Sequence, residues 1–505
     1  PNGSLFINST VEGKVGDISI GNLEVRGLGT TVIAASGRIK GLPDVKTAYF
    51  DLNVRDFRTT AKDINTFVPA GTIPNNIQIP NTIAFKGTFT GTLNNFNTNA
   101  NLATSFGNAK IKATFDQSHK GRERYNADVD IANFDLGALL KNDSIGKVTL
   151  KAKVKGIGLD PQTANATIDG RLVSAEYNSY TYKDLKLKGT VNKGAFDIVA
   201  NMDDPNLDFQ LDAKGGFNGK FPKGKIHLNV DIADLDKLNL HAGPLKLRGN
   251  VDAAIDDSNP DNLNGSVSLH NFMFVNDKEE FALDSINITA RTTPDSTAIR
   301  VKSQFLHANA VGKYKITELP VAVNRTIAKY YNTGAVDTAG TVGPQRVVFD
   351  IKLDNDPVLY KLLPQITRLE PITLKGRYDS QGDTLVVNGL IPRVVYGENI
   401  ISGIELMAEA RDTALVYNVR IEGVENKTFQ LANTSLSGDV KDNIVSYNLV
   451  IDDRKKTEQY KIAGKLEAKE GGTELMLNPD GLMLNYEEWT VADDNLIRFG
   501  KDGLY

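Results

Sequence analysis

Residues 225–232 read KIHLNVDI and alternate strictly between apolar and polar side chains. In an extended chain Ile226, Leu228, Val230 and Ile232 fall on one side, and the polar residues between them fall on the other. A period of two residues is typical of a β-strand with one buried face. The segment therefore predicts a half-buried strand.

The same alternation recurs along the chain, for example in VTLKAKV at 148–154, LDFQLDA at 207–213 and LKLRGNVDAAI at 245–255. The connections between such segments are short and rich in Gly, Asn and Asp, as in DDPN at 203–206. Short polar turns join antiparallel neighbours, whereas parallel strands need long crossovers. The Asp-rich stretch DDSNPDN at 256–262 lacks the Gly and the terminal Glu of a calcium loop and predicts an Asx turn.

Four segments interrupt the strands and predict short helices, at 57–67, 134–141, 320–332 and 357–368. The third begins at Pro320 and is followed by Gly334, which is the usual asymmetry of helix ends.

A strand ending in Asp or Asn recurs at Asp51, Asp128, Asn229 and Asp350, and each copy is followed by a strand of the pattern LxLxG or a close variant. These copies predict four repeats, at 1–125, 126–224, 225–345 and 346–505. The copies are unequally spaced, which argues against propellers and rigid solenoids, whose repeats keep their length.

A sheet with one apolar face must cover that face by packing on a second sheet, by closing into a barrel, or by curling into an open trough that holds an apolar ligand. Gly87, Gly91, Gly249 and Gly376 lie on the apolar side of their strands and allow sharp curling, although bulges in a sandwich would also explain them. We expect a mostly β fold, an elongated curled antiparallel sheet with an apolar interior and a few short helices. The residues expected to line the trough are Ile83, Phe85, Phe89, Val148, Leu150, Val154, Leu207, Phe209, Leu211, Ile226, Leu228, Val230, Leu245, Leu247 and Val251.

The composition gives no sign of catalysis. The 505 residues include no cysteine, and the five histidines are scattered without a metal-binding spacing or an HExxH motif. No GxSxG or dinucleotide fingerprint occurs in a suitable context. We expect a protein that is not an enzyme and that uses no metal or cofactor. Its net charge of −4, with acidic and basic residues interleaved, predicts that nucleic acid is not a partner.

Several longer segments resemble a known family. They are TxIxxxGxIxGLPD from Thr31 to Asp44, FDL at 50–52, DPNLDFQLDAKG at 204–215 and LNYEEWTVADDNLIRF at 484–499. These segments are similar to the periplasmic part of TamB-like proteins of the Bacteroidetes type. TamB is the inner-membrane subunit of the translocation and assembly module, and it belongs to the larger AsmA-like group with repeating β-grooves.

This resemblance implies an envelope-spanning periplasmic protein, anchored to the inner membrane by a segment outside this sequence. The implied partners are phospholipid or another acyl lipid and an outer-membrane barrel protein of the BamA-like class. The implied roles are lipid transport between the membranes or help with outer-membrane protein assembly. The alternative is a structural or interaction scaffold of β-sandwich-like repeats that transports no lipid.

Overall fold

A computed structural model describes residues 5–67, 74–216, 219–277, 279–331, 342–411, 413–428, 430–469, 472–500 and 503–504. Strands hold 68% of the residues and helices 6%. The described residues fall into two units, one comprising the chain up to Asp252 together with Phe272–Glu280, and the other comprising Ala253–Asn271 and the residues from Phe281 onward.

The strands up to the boundary between the units are β1 (Phe6–Lys14), β2 (Asp17–Leu28), β3 (Thr31–Lys40), β4 (Tyr49–Thr60), β5 (Thr82–Thr92), β6 (Asn95–Thr104), β7 (Gly107–Asp116), β8 (Arg124–Asp135), β9 (Ile145–Ile157), β10 (Asn165–Tyr177), β11 (Tyr180–Asn192), β12 (Ala195–Asp204), β13 (Leu207–Gly216), β14 (Lys223–Asp234) and β15 (Lys246–Asp257). Two helices interrupt them, α1 (Ala61–Phe67) after β4 and α2 (Leu136–Leu140) after β8.

The later strands are β16 (Asn264–Asn276), β17 (Glu279–Thr292), β18 (Thr297–Ser303), β19 (Leu306–Lys313), β20 (Arg346–Leu353), β21 (Ile366–Leu369), β22 (Ile372–Asp379), β23 (Thr384–Tyr396), β24 (Asn399–Arg411), β25 (Ala414–Glu425), β26 (Gln430–Leu431), β27 (Thr434–Lys441), β28 (Ile444–Asp452), β29 (Glu458–Lys469), β30 (Gly472–Leu484), β31 (Glu487–Trp489), β32 (Ile497–Gly500) and β33 (Gly503–Leu504). Helix α3 (Leu319–Ala328) follows β19 and α4 (Pro357–Leu362) follows β20.

Each unit is an open antiparallel sheet. In the first unit every strand from β1 to β14 pairs antiparallel with the next. In the second unit the series runs from β17 through β20, β22 and β25 to β30. No described pairing joins the first strand of either series to its last. The predicted fold class, mostly β with an open curled sheet, is confirmed, and the sandwich and closed alternatives are not needed.

One edge of the second unit is strongly bent. Thr317 donates two hydrogen bonds to the carboxylate of Asp261, from its backbone N at 3.0 Å and from Oγ1 at 2.7 Å. Thr317 begins the segment that contains α3, and Tyr330 ends it. At this second end, the backbone N of Asn443 donates to the carbonyl of Tyr330 at 2.9 Å. The segment spans about 20 Å, whereas the strands from β17 to β27 would cover about 38 Å of a flat sheet. The sheet therefore curls around α3.

Glycines permit strong local bends in the strands. Gly87, Gly91 and Gly249 have φ values of +156°, +130° and +155°, which side chains rarely adopt. A Cβ atom at Gly87 would lie closer than 3.0 Å to the backbone of Asn99 on β6. Gly376 has no such φ, and the ring of Phe349 on the neighbouring strand lies against it instead.

The helices are shorter than the sequence predicted. Residues 57–60 of the first predicted helix belong to β4, because Phe57 and Thr59 pair with β5 after a bulge between Val54 and Phe57 shifts the alternation by one residue. The segments predicted at 134–141 and 320–332 form α2 and α3, and the ending near Gly334 lies outside the described residues. Of 357–368, only α4 is helical, because residues from Ile366 form β21 and pair with β23. The four predicted repeat boundaries stay a prediction.

Much of the surface remains accessible. The chain exposes 30240 Å², whereas a compact protein of 55.0 kDa would expose about 18,000 Å². The fully buried hydrophobic residues are few for a chain of this length, and most apolar side chains in the strands are half-buried. The apolar sides of the strands are therefore only partly covered by the protein itself. Within the described ranges, no helix combines the length and the apolarity that crossing a bilayer requires.

Candidate functional site: the apolar face of the sheet

In the first unit the register aligns apolar side chains from strand to strand. One row crosses ten successive strands, from β5 to β14, through residues that are all hydrophobic and mostly half-buried. It consists of Phe85, Leu102, Ala109, Ile131, Leu150, Leu172, Leu185, Met202, Phe209 and Val230. At about 4.8 Å per strand the row is about 43 Å long. We call the side of the sheet that carries it the apolar face.

The opposite side of the same strands is charged. Lys112, Asp128, Lys153, Asp169 and Lys188 lie next to one another on β7 to β11, so that opposite charges alternate across the strands. Lys153 Nζ and Asp128 Oδ2 are 3.8 Å apart. Asp128 therefore marks the solvated side of its strand and contributes to a charge ladder.

All fifteen residues predicted to line a trough lie in or beside β5, β9, β13, β14 and β15. Thirteen of them are half-buried, Val148 is buried at 6% exposure, and Ile226 is exposed at 41%. The register brings several of them side by side, since Phe209 pairs with Val230 and Leu211 pairs with Leu228. Their role as lipid contacts stays a prediction.

Aromatic rings form a strip along one end of the apolar face. Phe50, Phe89, Phe96 and Phe115 come from four successive strands, β4 to β7, and neighbouring ring centroids are 6.3, 5.2 and 5.8 Å apart. These distances are typical of favourable aromatic pairs. The strip gives this end of the face a continuous apolar surface.

On the apolar sides of both units, aromatic side chains also lie against glycines of a neighbouring strand. Tyr447 pairs with Gly464, and a Cβ on that glycine would lie 2.7 Å from the Tyr447 hydroxyl. The same arrangement joins Phe349 with Gly376. It also joins Tyr417 with Gly438, Phe196 with Gly215, and Tyr125 with Gly156. A ring over a glycine lies along the sheet and projects less above it, so the face stays shallow and unobstructed.

These pairs were not predicted from the sequence. Glycines on the apolar parity were predicted to allow curling, but the sequence does not show which ring faces which glycine. The available signal is an aromatic residue and a glycine on the apolar parity of consecutive strands, as with Phe196 on β12 and Gly215 on β13. Strand register is needed to turn that signal into a contact.

The second unit carries an apolar row of the same kind, through Val301, Ala308, Ile351, Leu374, Gly389, Leu406, Val419, Leu436, Leu449 and Ile462. Helix α3 covers one edge of this face, where Ala322 packs in a cluster with Tyr314, Val347 and Tyr378. The hydroxyls of Thr326 and Tyr378 share a hydrogen bond of 2.9 Å, and burial raises the pKa of Tyr378. Here the protein covers its own apolar surface.

In the first unit, the helices brace the ends of the strands. Asp135 Oδ1 caps α2 by accepting a hydrogen bond from Ala138 N at 2.8 Å. The carbonyl of Leu139 on α2 accepts from the backbone N of Gln78 in the connection before β5. The segment FDLGALL at 134–140 is therefore tied to a neighbouring connection at the edge of the sheet.

Helix α1 is fixed through Asp63, whose carboxylate accepts from Thr30 N at 2.9 Å and from Thr31 Oγ1 at 3.0 Å. Burial opposes ionisation of Asp63, but the hydrogen bonds from Thr30 and Thr31 outweigh it and hold its pKa below the ordinary value. The predicted Asx turn is also present, with Asn259 N donating to Asp257 Oδ1 at 2.9 Å. In the described part of the chain, no three His, Asp or Glu side chains are grouped to hold a metal ion.

The chain was also compared with known proteins. No family model, no curated protein and no solved structure matches it.

Proposed function

We propose that the apolar face binds the acyl chains of lipids, and that the protein shields or conducts them between the inner and outer membranes of a bacterial envelope. The row from Phe85 to Val230 supports this proposal, because ten neighbouring strands present hydrophobic side chains, most of which the protein leaves half-buried. Burying a methylene group is worth about 0.8 kcal/mol, so a sixteen-carbon chain would gain on the order of 12 kcal/mol on such a surface.

A uniform row also suits movement. No charged side chain interrupts the apolar row, so an acyl chain shifted by one strand exchanges one set of hydrophobic contacts for a similar set. The rings that lie along the sheet, such as Tyr125 against Gly156, leave few projections for a sliding chain to pass. A surface of this kind binds acyl chains but does not fix the position of an individual chain along the row.

The resemblance to TamB-like proteins adds a location and partners to this proposal. In that setting the protein lies in the periplasm, with its anchor in the inner membrane and a BamA-like barrel at the outer membrane. Assistance in outer-membrane protein assembly would use the same apolar face, for a hydrophobic protein segment in place of an acyl chain.

Photo-crosslinking tests the proposal directly. A photoreactive amino acid is placed at Phe209 or Leu228 on the apolar face, and at Gln210 or Asn229 as matched controls. The controls are adjacent in sequence, pair with each other across β13 and β14, and lie on the polar side. We expect lipid adducts in cells at the first two positions and none at the controls.

A second candidate is a scaffold that transports no lipid. It is favoured by the packing of α3 on the second unit, where Tyr314, Ala322 and Tyr378 bury apolar surface inside the protein. Crosslinks from Phe209 and Leu228 that reach only other parts of this chain, with no lipid adduct, would support the scaffold and refute lipid binding.

A further inference from the structure

The polar side of β18, β19, β20 and β22 is strongly basic. These four strands carry seven basic side chains, all exposed, and only two acidic ones, Asp350 and Asp379. The chain as a whole has a net charge of −4, so this region has the opposite sign. We call it the basic surface, and its seven members are Arg300, Lys302, Lys313, Arg346, Lys352, Lys375 and Arg377.

Strand register places like charges directly opposite each other on the basic surface. Lys313 pairs with Arg346, whose other cross-strand neighbour is Asp379, and Lys302 and Lys352 lie on either side of His307. Like charges opposite each other destabilise a sheet. The charge ladder of the first unit, with Lys112 opposite Asp128, avoids this cost. The second unit accepts an electrostatic penalty that an anionic partner would relieve.

Most of these cations are not neutralised within the protein. Lys375 Nζ lies 3.1 Å from Asp350, and Lys352 Nζ lies 2.6 Å from Asp354. Among the described residues, no carboxylate lies within 4.0 Å of the other five cationic groups. Arg300, Lys302, Lys352 and Lys375 line a depression of about 430 Å³.

The rest of the surface indicates which kind of anion fits. Phe349 has the parity of Val347, and Tyr378 pairs with Val347, so both of these rings lie on the apolar side. The one ring that these four strands place on the basic surface is the imidazole of His307, so the surface lacks the series of aromatic rings on which successive nucleic-acid bases stack. Val348 is exposed at 57% in the midst of the basic residues. A broad area of Lys and Arg with an exposed apolar side chain suits the interface of a bilayer that carries anionic phosphate headgroups.

We propose that the basic surface docks the protein on a membrane that carries anionic phospholipids. The contact is electrostatic and lies on the side of the second unit's sheet opposite to that unit's own apolar row. It does not depend on whether the apolar face binds acyl chains. Each Lys or Arg near such a membrane strengthens binding by about fivefold at ordinary ionic strength.

The test measures binding of the full chain to phosphatidylcholine vesicles with and without phosphatidylglycerol. The variant combines Arg300→Gln, Lys302→Gln and Arg377→Gln, none of which has an ion-pair partner among the described residues. The matched control combines Lys112→Gln, Lys153→Gln and Lys188→Gln on the charge ladder, so both proteins lose three positive charges. We expect a loss on the order of a hundredfold for the variant, a few-fold loss for the control, and weakening of wild-type binding as salt is raised.

Three outcomes would overturn the proposal: equal binding to both kinds of vesicle, equal losses in the variant and the control, or salt-independent binding. Polyglutamate and inorganic phosphate serve as competitors. If polyglutamate releases the protein from vesicles as efficiently as an excess of anionic vesicles does, the surface binds acidic proteins and the membrane assignment is wrong. If inorganic phosphate alone does so, the surface holds single anions and the assignment is wrong as well.

Discussion

Replacement of Gly87 by alanine should disrupt the bend of β5. The residue has a φ of +156°, and a Cβ there would lie closer than 3.0 Å to the backbone of Asn99 and Ala100 on β6. A non-glycine residue held in such a conformation costs about 1–3 kcal/mol, and backbone atoms cannot move aside as a flexible side chain can. We therefore expect Gly87→Ala to destabilise the pairing of β5 with β6 by about 2 kcal/mol or more.

Gly170→Ala is the matched control. Gly170 lies on the apolar side of β10, has no unusual φ, and a Cβ there would be 3.7 Å from its nearest neighbour, the Cβ of Ala152. Alanine fits this space, so we expect a change within about 0.5 kcal/mol, or slight stabilisation.

Hydrogen exchange of backbone amides is the suitable assay, because a chain with two units need not unfold in one step. A loss of 2 kcal/mol corresponds to about 30-fold faster exchange through local opening. Amides of Asn95–Thr104 should show this acceleration in Gly87→Ala and not in Gly170→Ala. Equal exchange in the two variants would refute the argument that bent glycines shape the sheet.

Three further predictions concern the edges of the sheet. Tyr378→Phe and Thr326→Val should each destabilise α3 by about 1–3 kcal/mol, because each leaves a buried hydroxyl without its partner. Amide hydrogen exchange in α3 should show that the double variant loses less stability than the sum of the two single variants, and full additivity would contradict the pairing. Burial raises the pKa of Tyr314 and Tyr378 above the ordinary value of 10.0. The contribution of the two neutral hydroxyls to the stability of the fold is therefore present below about pH 10 and is lost as pH rises above it. The part of the tyrosinate absorbance that is missing in a Tyr314→Phe/Tyr378→Phe variant should therefore appear together with loss of near-ultraviolet circular dichroism, and its appearance before any structural loss would oppose this. The pKa of Asp63 is lowered, so the contribution of this carboxylate to stability is present at pH values above its ordinary pKa and is lost as pH falls. Asp63→Asn should therefore make α1 more sensitive to proteolysis at neutral pH and remove the acid dependence of cleavage. Cleavage that is unchanged by the substitution would contradict this.

The alternation of side chains was enough to predict most strands and their two faces. Residues 225–232 form part of β14, and Leu228 and Val230 lie on the apolar face as their parity requires. Ile232 is an exception, because a bulge in β14 places it opposite Asp208, on the side away from Leu228 and Val230.

Helix ends were harder to predict. Residues 57–60 were included in a predicted helix, but they continue β4 through pairing with β5, and Phe57, Thr59 and Thr60 are residue types that favour strands.

The exposure of Ile226 shows a second limit of prediction from alternation. It has the parity of Leu228 but is exposed at 41%, since burial depends on what lies above a residue as well as on the face it occupies. Parity gives the face alone. The cover over each part of that face, such as α3 beside Tyr378, comes from contacts between segments far apart in the chain.

The sequence by itself determined that the chain forms strands with one apolar and one polar side, because a period of two needs only local geometry. The tertiary structure decided which side chains become neighbours across strands. Lys and Arg appear interleaved with acidic residues along the chain, yet register brings Arg300, Lys352 and Arg377 onto one basic surface. In the same way, Phe349 meets Gly376 only through pairing. Charge and shape on a sheet depend on the strand offset, which alternation leaves open and which turns, bulges and packing set.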